Sequence, residues 1–285
     1  MTCFYASSDE MWVSLFFSCF SLIAFYQLIH FPAALERWII GQSALSGRFC
    51  VYPEASQLHQ INDLSTSNPL NNPDFDEKIE TVVNALVDTG WCVIEDFIEP
   101  WLWRAMAIEA QGIYRDGGFR HAGVGRKQTF RILPEVRNDR VMWLDPLAAS
   151  DLQAVYLERM ETLRQRINLA LTLGLFGFES HYAIYPAGSF YRRHLDRFAA
   201  AAHRIVSCIS YLNDDWLPGH GGALRMYQRV SVGVTGPIEP QRETYVDILP
   251  HGGSVVLFLS GEFEHEVLPA TRERLSLTGW FYRRS

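Results

Sequence analysis

The sequence predicts an α+β protein in which a layer of helices buttresses a β sandwich or barrel. Three observations carry that prediction. Between about residues 77 and 173, apolar side chains recur at helical spacing. After Gly177 the texture changes to short apolar or alternating runs separated by Gly, Pro, Asn and Asp, as many short strands would be. Helices followed by strands, rather than alternating with them, argue against a parallel α/β sheet. At 285 residues and 48% hydrophobic the chain can also bury a sizeable core, which excludes a disordered, collagenous or small disulfide-stapled protein.

Residues 1–50 form an apolar extension. From Met11 to Leu35 no Asp, Glu, Lys or Arg interrupts the chain, a length sufficient to span a bilayer. Asp9 and Glu10 stand where a secretory signal would carry basic residues. The expectation is a cytoplasmic protein. The alternative is a membrane anchor through residues 11–35, with Arg37 keeping the bulk of the chain in the cytoplasm. A helix packed on the domain, or sequence ahead of the true start, would explain the same residues. Residues 51–76, rich in Asn, Ser, Pro and Gln, read as a linker, and 77–285 as the folded domain.

Within that domain, Asp76 precedes EKIETVVNALVDT and Gly90 follows it, so a helix with Asp76 as its cap is expected. WCVIEDFI reads as a strand, PWLWRAMAIEAQGIYRD as a second helix, and Leu147 to about Leu173 as a third. SHYAIYP, IVSCISYLN, GALRMY, TYVDILP, GSVVLFLS and LSLTGWFYR read as strands. The formal charge of −7 excludes a globally basic chain, and no nucleic-acid partner is expected. Five cysteines with no C-x-x-C pair disfavour a zinc ribbon or a disulfide framework.

Chemistry concentrates in the strand region. His194 and Asp196 are two residues apart, so in a strand they share a face. His265 in GEFEHEVLP follows the strand SVVLFLS. Two imidazoles and one carboxylate make a facial triad that suits non-haem Fe(II) and leaves coordination positions open. Arg274 comes nine residues after His265 and opens a strand that places Arg274, Ser276, Thr278 and Trp280 on one face, with Leu275, Leu277 and Phe281 on the other. An inward Arg274 needs an anionic partner, and a dicarboxylic cosubstrate supplies one, held bidentately. The Tyr211 hydroxyl could reach the same carboxylate.

With these residues in view, the chain from about Glu77 to Arg283 resembles the 2-oxoglutarate/Fe(II) dioxygenases. Within them it is most similar to the prolyl 4-hydroxylase branch, which includes the oxygen-sensing prolyl hydroxylases of the hypoxia-inducible-factor pathway and their bacterial relatives. YPAGSFYRRHLDR, VSCISYLNDDW, GGALRMY, SVVLFLSGEFEHEVLPA, TGWCVIEDFI and EVRNDRVMWLD carry the likeness. It implies a double-stranded β-helix (a jelly-roll, cupin-like core) with buttressing helices on its N-terminal side. It implies that His194, Asp196 and His265 bind Fe(II), that Arg274 pairs with the far carboxylate of 2-oxoglutarate, and that Tyr211 hydrogen-bonds it. Tyr185, Tyr191, Thr278 and Trp280 match pocket positions, and Arg137, Asp139 and Trp143 a stretch near the substrate entrance. O2 and L-ascorbate complete the implied cofactor set, with succinate and CO2 as coproducts and a prolyl residue of a protein as substrate. The alternatives are a hydroxylase of a free amino acid or other small molecule and, from another class, a non-catalytic sensor of 2-oxoglutarate or metal on the same barrel.

Other features are set aside on physical grounds. GVGRK lacks the spacing of a phosphate-binding loop, and with RDGGFRHA it reads as a mobile loop over the site, the alternative being a surface loop with no function. His220 and His251 sit in Gly-rich turns. Glu266, next to a ligand, should point to the opposite face of its strand. Arg192, Arg193, Arg197 and Arg204 read as a solvated rim.

Overall fold

The computed structural model describes residues 73–125, 130–197, 201–228 and 243–284. The expectations for the apolar extension, and for the linker up to residue 72, lie outside the described residues. Among the described residues no helix is long and apolar enough to cross a membrane.

The first helix, α1, spans Pro73–Asp88. It starts four residues earlier than the sequence suggested, so Asp76 lies in its first turn instead of capping it. Asp74 and Asp76 are both in that turn, where the helix dipole favours negative charge. Phe75, Ile79, Val82 and Leu86 are buried along one stripe. Gly90 ends the segment at φ +80°, and a Cβ there would meet Phe263 at 3.1 Å. Strand β1, Trp91–Ile94, follows.

Helix α2, Pro100–Arg115, buries Leu102, Trp103, Met106 and Ala110. Helix α3 spans Asp151–Leu171, shorter than the expected stretch from Leu147 to Leu173. The Ser150 hydroxyl accepts the Gln153 amide N–H at 3.2 Å and so fixes the start. Leu147 lies outside the helix and is 97% exposed. Thr172, at φ 49°, ends the helix in the left-handed region.

The remaining strands are β2 (Arg120–His121), β3 (Arg140–Trp143), β4 (Gly177–Tyr185), β5 (Tyr191–His194), β6 (Arg204–Tyr211), β7 (Leu224–Gln228), β8 (Thr244–Ile248), β9 (Val255–Leu259), β10 (His265–Val267) and β11 (Arg274–Tyr282). They form a seven-stranded sheet in the order β1-β9-β6-β11-β4-β3-β2 and a four-stranded sheet in the order β5-β10-β7-β8. Every described pairing in both sheets is antiparallel.

The period of two along the major sheet separates two cores. Tyr182 and Ile184 of β4, Leu275, Leu277 and Phe281 of β11, and Val206 and Cys208 of β6 pack with the helices. Ala183, Tyr185, Ile209, Tyr211, Val256 and Phe258 face the other way, against Leu224, Met226, Ile248 and Val267 of the minor sheet. The predicted division of β11 is therefore observed, and the helices buttress one face of the major sheet only.

Three local departures from the sequence reading shape the site. β5 ends at His194, and Asp196 lies in the bend beyond it, not in the strand. His265 follows β9, as read, but it also opens a strand of its own, β10, and pairs with His194. A bulge in the β6–β11 ladder pairs Tyr282 with Arg204 while Phe281 pairs with Val206. Ile205 is thereby thrown to the helix side, and Arg204 comes onto the face opposite it.

Candidate active site

A cavity of about 610 Å³ opens between the two sheets. His194, Asp196 and His265 border it from the minor-sheet side, and Tyr185, His181, Arg274, Thr278 and Trp280 from the major sheet. Among the described residues, this trio is the one cluster able to hold a metal ion, with its ligand atoms all within 4.8 Å of one another. His194 Nε2 is 3.6 Å from Asp196 Oδ1, and His265 Nε2 is 3.7 Å from Asp196 Oδ2.

The tautomers follow from the backbone. His194 Nδ1 lies 2.7 Å from the Arg192 carbonyl, and His265 Nδ1 3.1 Å from that of Phe263. A carbonyl only accepts, so each Nδ1 carries the proton and each Nε2 presents a lone pair. Two lone pairs and a carboxylate thus converge with no donor among them, and a cation is what such a set fits. Tyr191 stacks on the His194 ring at 3.6 Å, and Ser207 Oγ donates to Asp196 Oδ2 at 2.7 Å. Burial alone would raise the Asp196 carboxyl, but the positive charge that His265 and His194 carry when protonated, together with the Ser207 hydroxyl, holds it well below the usual range. Burial and the neighbouring His194 push His265 down to about 4. Both changes favour the deprotonated, metal-ligating forms.

Arg274 is 1% exposed at the start of β11. Its Nε donates to the Gly222 carbonyl at 2.9 Å, and its guanidinium lies 5.1 Å from the Tyr185 ring and 5.0 Å from that of Tyr211. Neither Arg274 Nη2 nor Tyr211 Oη completes a hydrogen bond. Burial pushes the Tyr211 phenol up while Arg274 opposes the rise, so it remains a donor. A buried cation with a free N–H beside a free phenol is costly unless a ligand pairs with them. The far carboxylate of a dicarboxylic cosubstrate fits that demand.

The other expected residues fall as follows. Thr278, Trp280, Tyr191, Trp143 and Arg137 border the cavity. Asp139 is fully buried behind it and reaches it only through Arg137, which donates to it from Nε at 2.8 Å and from Nη2 at 2.6 Å. Arg137 also lies 4.1 Å over the Tyr191 ring. The pair thus braces the aromatic that braces a ligand histidine. Gly123, Val124, Gly125 and Phe130 of the Gly-rich segment border the cavity too, and residues 126–129 lie outside the described ones. Glu266 points away, as expected, and accepts from the Tyr227 hydroxyl at 2.5 Å. His220 accepts the Leu217 amide through Nδ1 and holds a turn.

Arg204 is not part of a solvated rim. It is 9% exposed, pairs with Glu179 at 2.9 Å, lies 3.4 Å over the Trp280 ring and borders the cavity. His181, which the sequence reading passed over, also borders it. The period of two from Tyr185 carried the signal for His181; the bulge in β6 hid the one for Arg204.

Residues 180–282 match the model of the 2OG-Fe(II) oxygenase superfamily. A prolyl-4-hydroxylase of Pseudomonas putida, known as a crystal structure, is 42% identical with a TM-score of 0.62, and the match covers 73% of this chain and 100% of that one. This chain belongs to the 2OG-Fe(II) oxygenase superfamily. A Caenorhabditis elegans hypoxia-inducible factor prolyl hydroxylase is 28% identical over 217 residues, which are 72% of this chain but only 28% of that protein. A prolyl hydroxylase of Trichoplax adhaerens, solved with a hypoxia inducible factor peptide, has a TM-score of 0.65 at 24% identity over 76% of this chain and 94% of that one, and so shares the fold. The two sheets are the double-stranded β-helix of these 2OG-Fe(II) oxygenases, and the triad stands inside it.

Proposed function

We propose that this 2OG-Fe(II) oxygenase hydroxylates a prolyl residue within a polypeptide, probing C4 of the ring, with 2-oxoglutarate converted to succinate and CO2. The observation that carries the cofactor half is one cavity bordered by His194, Asp196, His265 and the partly unpaired Arg274, with the unpaired Tyr211 hydroxyl buried beside Arg274. The prolyl half is supported by the likeness to the Pseudomonas prolyl-4-hydroxylase over the whole of that chain.

In this reading His194 Nε2, His265 Nε2 and an Asp196 oxygen hold Fe(II), while Arg274 and Tyr211 hold the far carboxylate of 2-oxoglutarate. When bound, the iron and its cosubstrate supply O2 activation and the transfer of one oxygen atom to a C–H bond. The chain's own part is to orient and to exclude water. Tyr191 and the two carbonyl acceptors fix the imidazole planes, and Ile209, Leu224 and Val267 give the cavity an apolar wall. L-Ascorbate, as the reductant that keeps the iron ferrous, an oxygen-sensing role and a cytoplasmic location belong to the same proposal.

The test is succinate release by the Fe(II)-loaded chain with 2-oxoglutarate and ascorbate, together with a mass-spectrometric search of treated cell extract for prolyl residues heavier by one oxygen. Turnover with modified protein prolines is expected. Efficient conversion of free proline, with prolyl peptides inert, would move the enzyme to the small-molecule hydroxylases.

A further inference from the structure

Beyond the triad and the Arg274 corner, the cavity has a second end that the proposed chemistry leaves unused. β4 and β11 pair in register, Arg274 with Tyr185 and Thr278 with His181. At the rise of an extended strand, four residues put His181 about 13 Å along the sheet from the Arg274 corner. A five-carbon diacid anchored at Arg274 and directed at the triad does not extend that far.

This end is built, not merely open. His181 is 3% exposed. Neither of its ring nitrogens has a hydrogen-bond partner, and neither does the buried Nε1 of Trp280. The His181 ring sits between Trp143, at 4.7 Å, and Trp280, at 5.5 Å. Three polar atoms buried together without partners imply a missing one. The two guanidinium groups nearest in the wall are already neutralised, Arg137 by Asp139 and Arg204 by Glu179. Arg120, which also borders the cavity, is exposed, so solvent screens the charge it offers a carboxylate, and an ammonium finds no unpaired anion among the described residues at this end. Burial, with Arg137 and Arg204 adding to it, keeps the His181 imidazole neutral. A neutral imidazole offers one donor and one acceptor side by side, and the indole adds a second donor.

We propose that His181 is a substrate-binding residue that hydrogen-bonds the main-chain amide of the polypeptide next to its target residue, with Trp280 Nε1 as a second donor to the same stretch. A peptide unit presents a carbonyl acceptor and, one residue on, an N–H donor, which is the complement of what the wall offers. The inference rests on the polypeptide-hydroxylase reading above and adds to it that this end of the cavity reads backbone, not side chain.

The experiment compares the full chain with His181→Leu and His181→Gln, all loaded with Fe(II), using a pool of tryptic peptides with blocked termini as the probe. Peptide affinity is measured by anaerobic titration in the presence of 2-oxoglutarate, and peptide KM and kcat by mass spectrometry in air. His181→Leu should weaken peptide affinity and raise peptide KM about tenfold, the size of one lost buried hydrogen bond, with 2-oxoglutarate affinity and peptide-free 2-oxoglutarate turnover unchanged. His181→Gln, which keeps a donor and an acceptor, should recover most of the loss. Unchanged peptide affinity in His181→Leu, a parallel loss of 2-oxoglutarate binding, or no recovery in His181→Gln overturns the assignment while leaving the hydroxylase reading standing. A wild-type chain that turns over 2-oxoglutarate but modifies no prolyl peptide overturns both.

Discussion

At the scale of single residues, the site divides into groups whose jobs can be separated by measurement. Arg274→Ala should leave iron binding intact and weaken 2-oxoglutarate by about 1.5–3 kcal/mol, the worth of a charge-assisted hydrogen bond. Tyr211→Phe should cost about 0.5–1.5 kcal/mol by the same titration. Ser207 touches no ligand other than through Asp196. Ser207→Ala should still weaken Fe(II) binding about tenfold or more, because it releases the carboxylate that it orients. His181 has a signature in stability as well as in binding. It stays neutral in the folded state, whereas in the unfolded chain it takes a proton below about pH 6.5. The unfolded state then binds more protons, so stability falls as pH drops through that value. His181→Leu should flatten this decline in urea unfolding compared between pH 7 and pH 5.5. The triad and Arg274 were legible because their residue types and spacings are tied to one chemistry. His181 was passed over although it shares a face with Tyr185, because only the structure shows that both its ring nitrogens are unpaired.

At the scale of elements, each helix has one stripe and one start signal, and the sequence showed the stripes better than the starts. Helix α3 is the clear case. Apolar spacing runs on to Leu147, but Ser150 offers its hydroxyl to the Gln153 N–H and the chain begins to coil there. Ser150→Ala should therefore destabilise the fold by about 0.5–2 kcal/mol in denaturant titration, without altering iron affinity. Strands were found where apolar runs are long. The short β2, β3, β5 and β10 were missed, because two to four residues carry too little periodicity to stand out. Two of these four, β5 and β10, hold the ligand histidines. Arg204 was grouped with three other arginines as a solvated rim, whereas the bulge at the start of β6 turns it into the cavity.

At the scale of the whole molecule, every described residue bordering the cavity falls between Arg120 and Trp280. Deleting residues 1–50 should therefore leave iron and 2-oxoglutarate affinities unchanged in direct titrations. The order of helices before strands was enough to read an α+β arrangement, while the resemblance supplied the closure of the strands into a double-stranded β-helix. The division of labour between the two faces was read on β11 but not on its neighbour β4. On β4 the side chains alternate strictly between a face set by chemistry and a face set by packing. For anyone wishing to breed a new selectivity into this scaffold, that alternation is a guide to library design. Variation at His181 and Tyr185, which border the cavity, would be sorted by what the enzyme accepts, and variation at Tyr182 and Ile184 by how much protein survives expression.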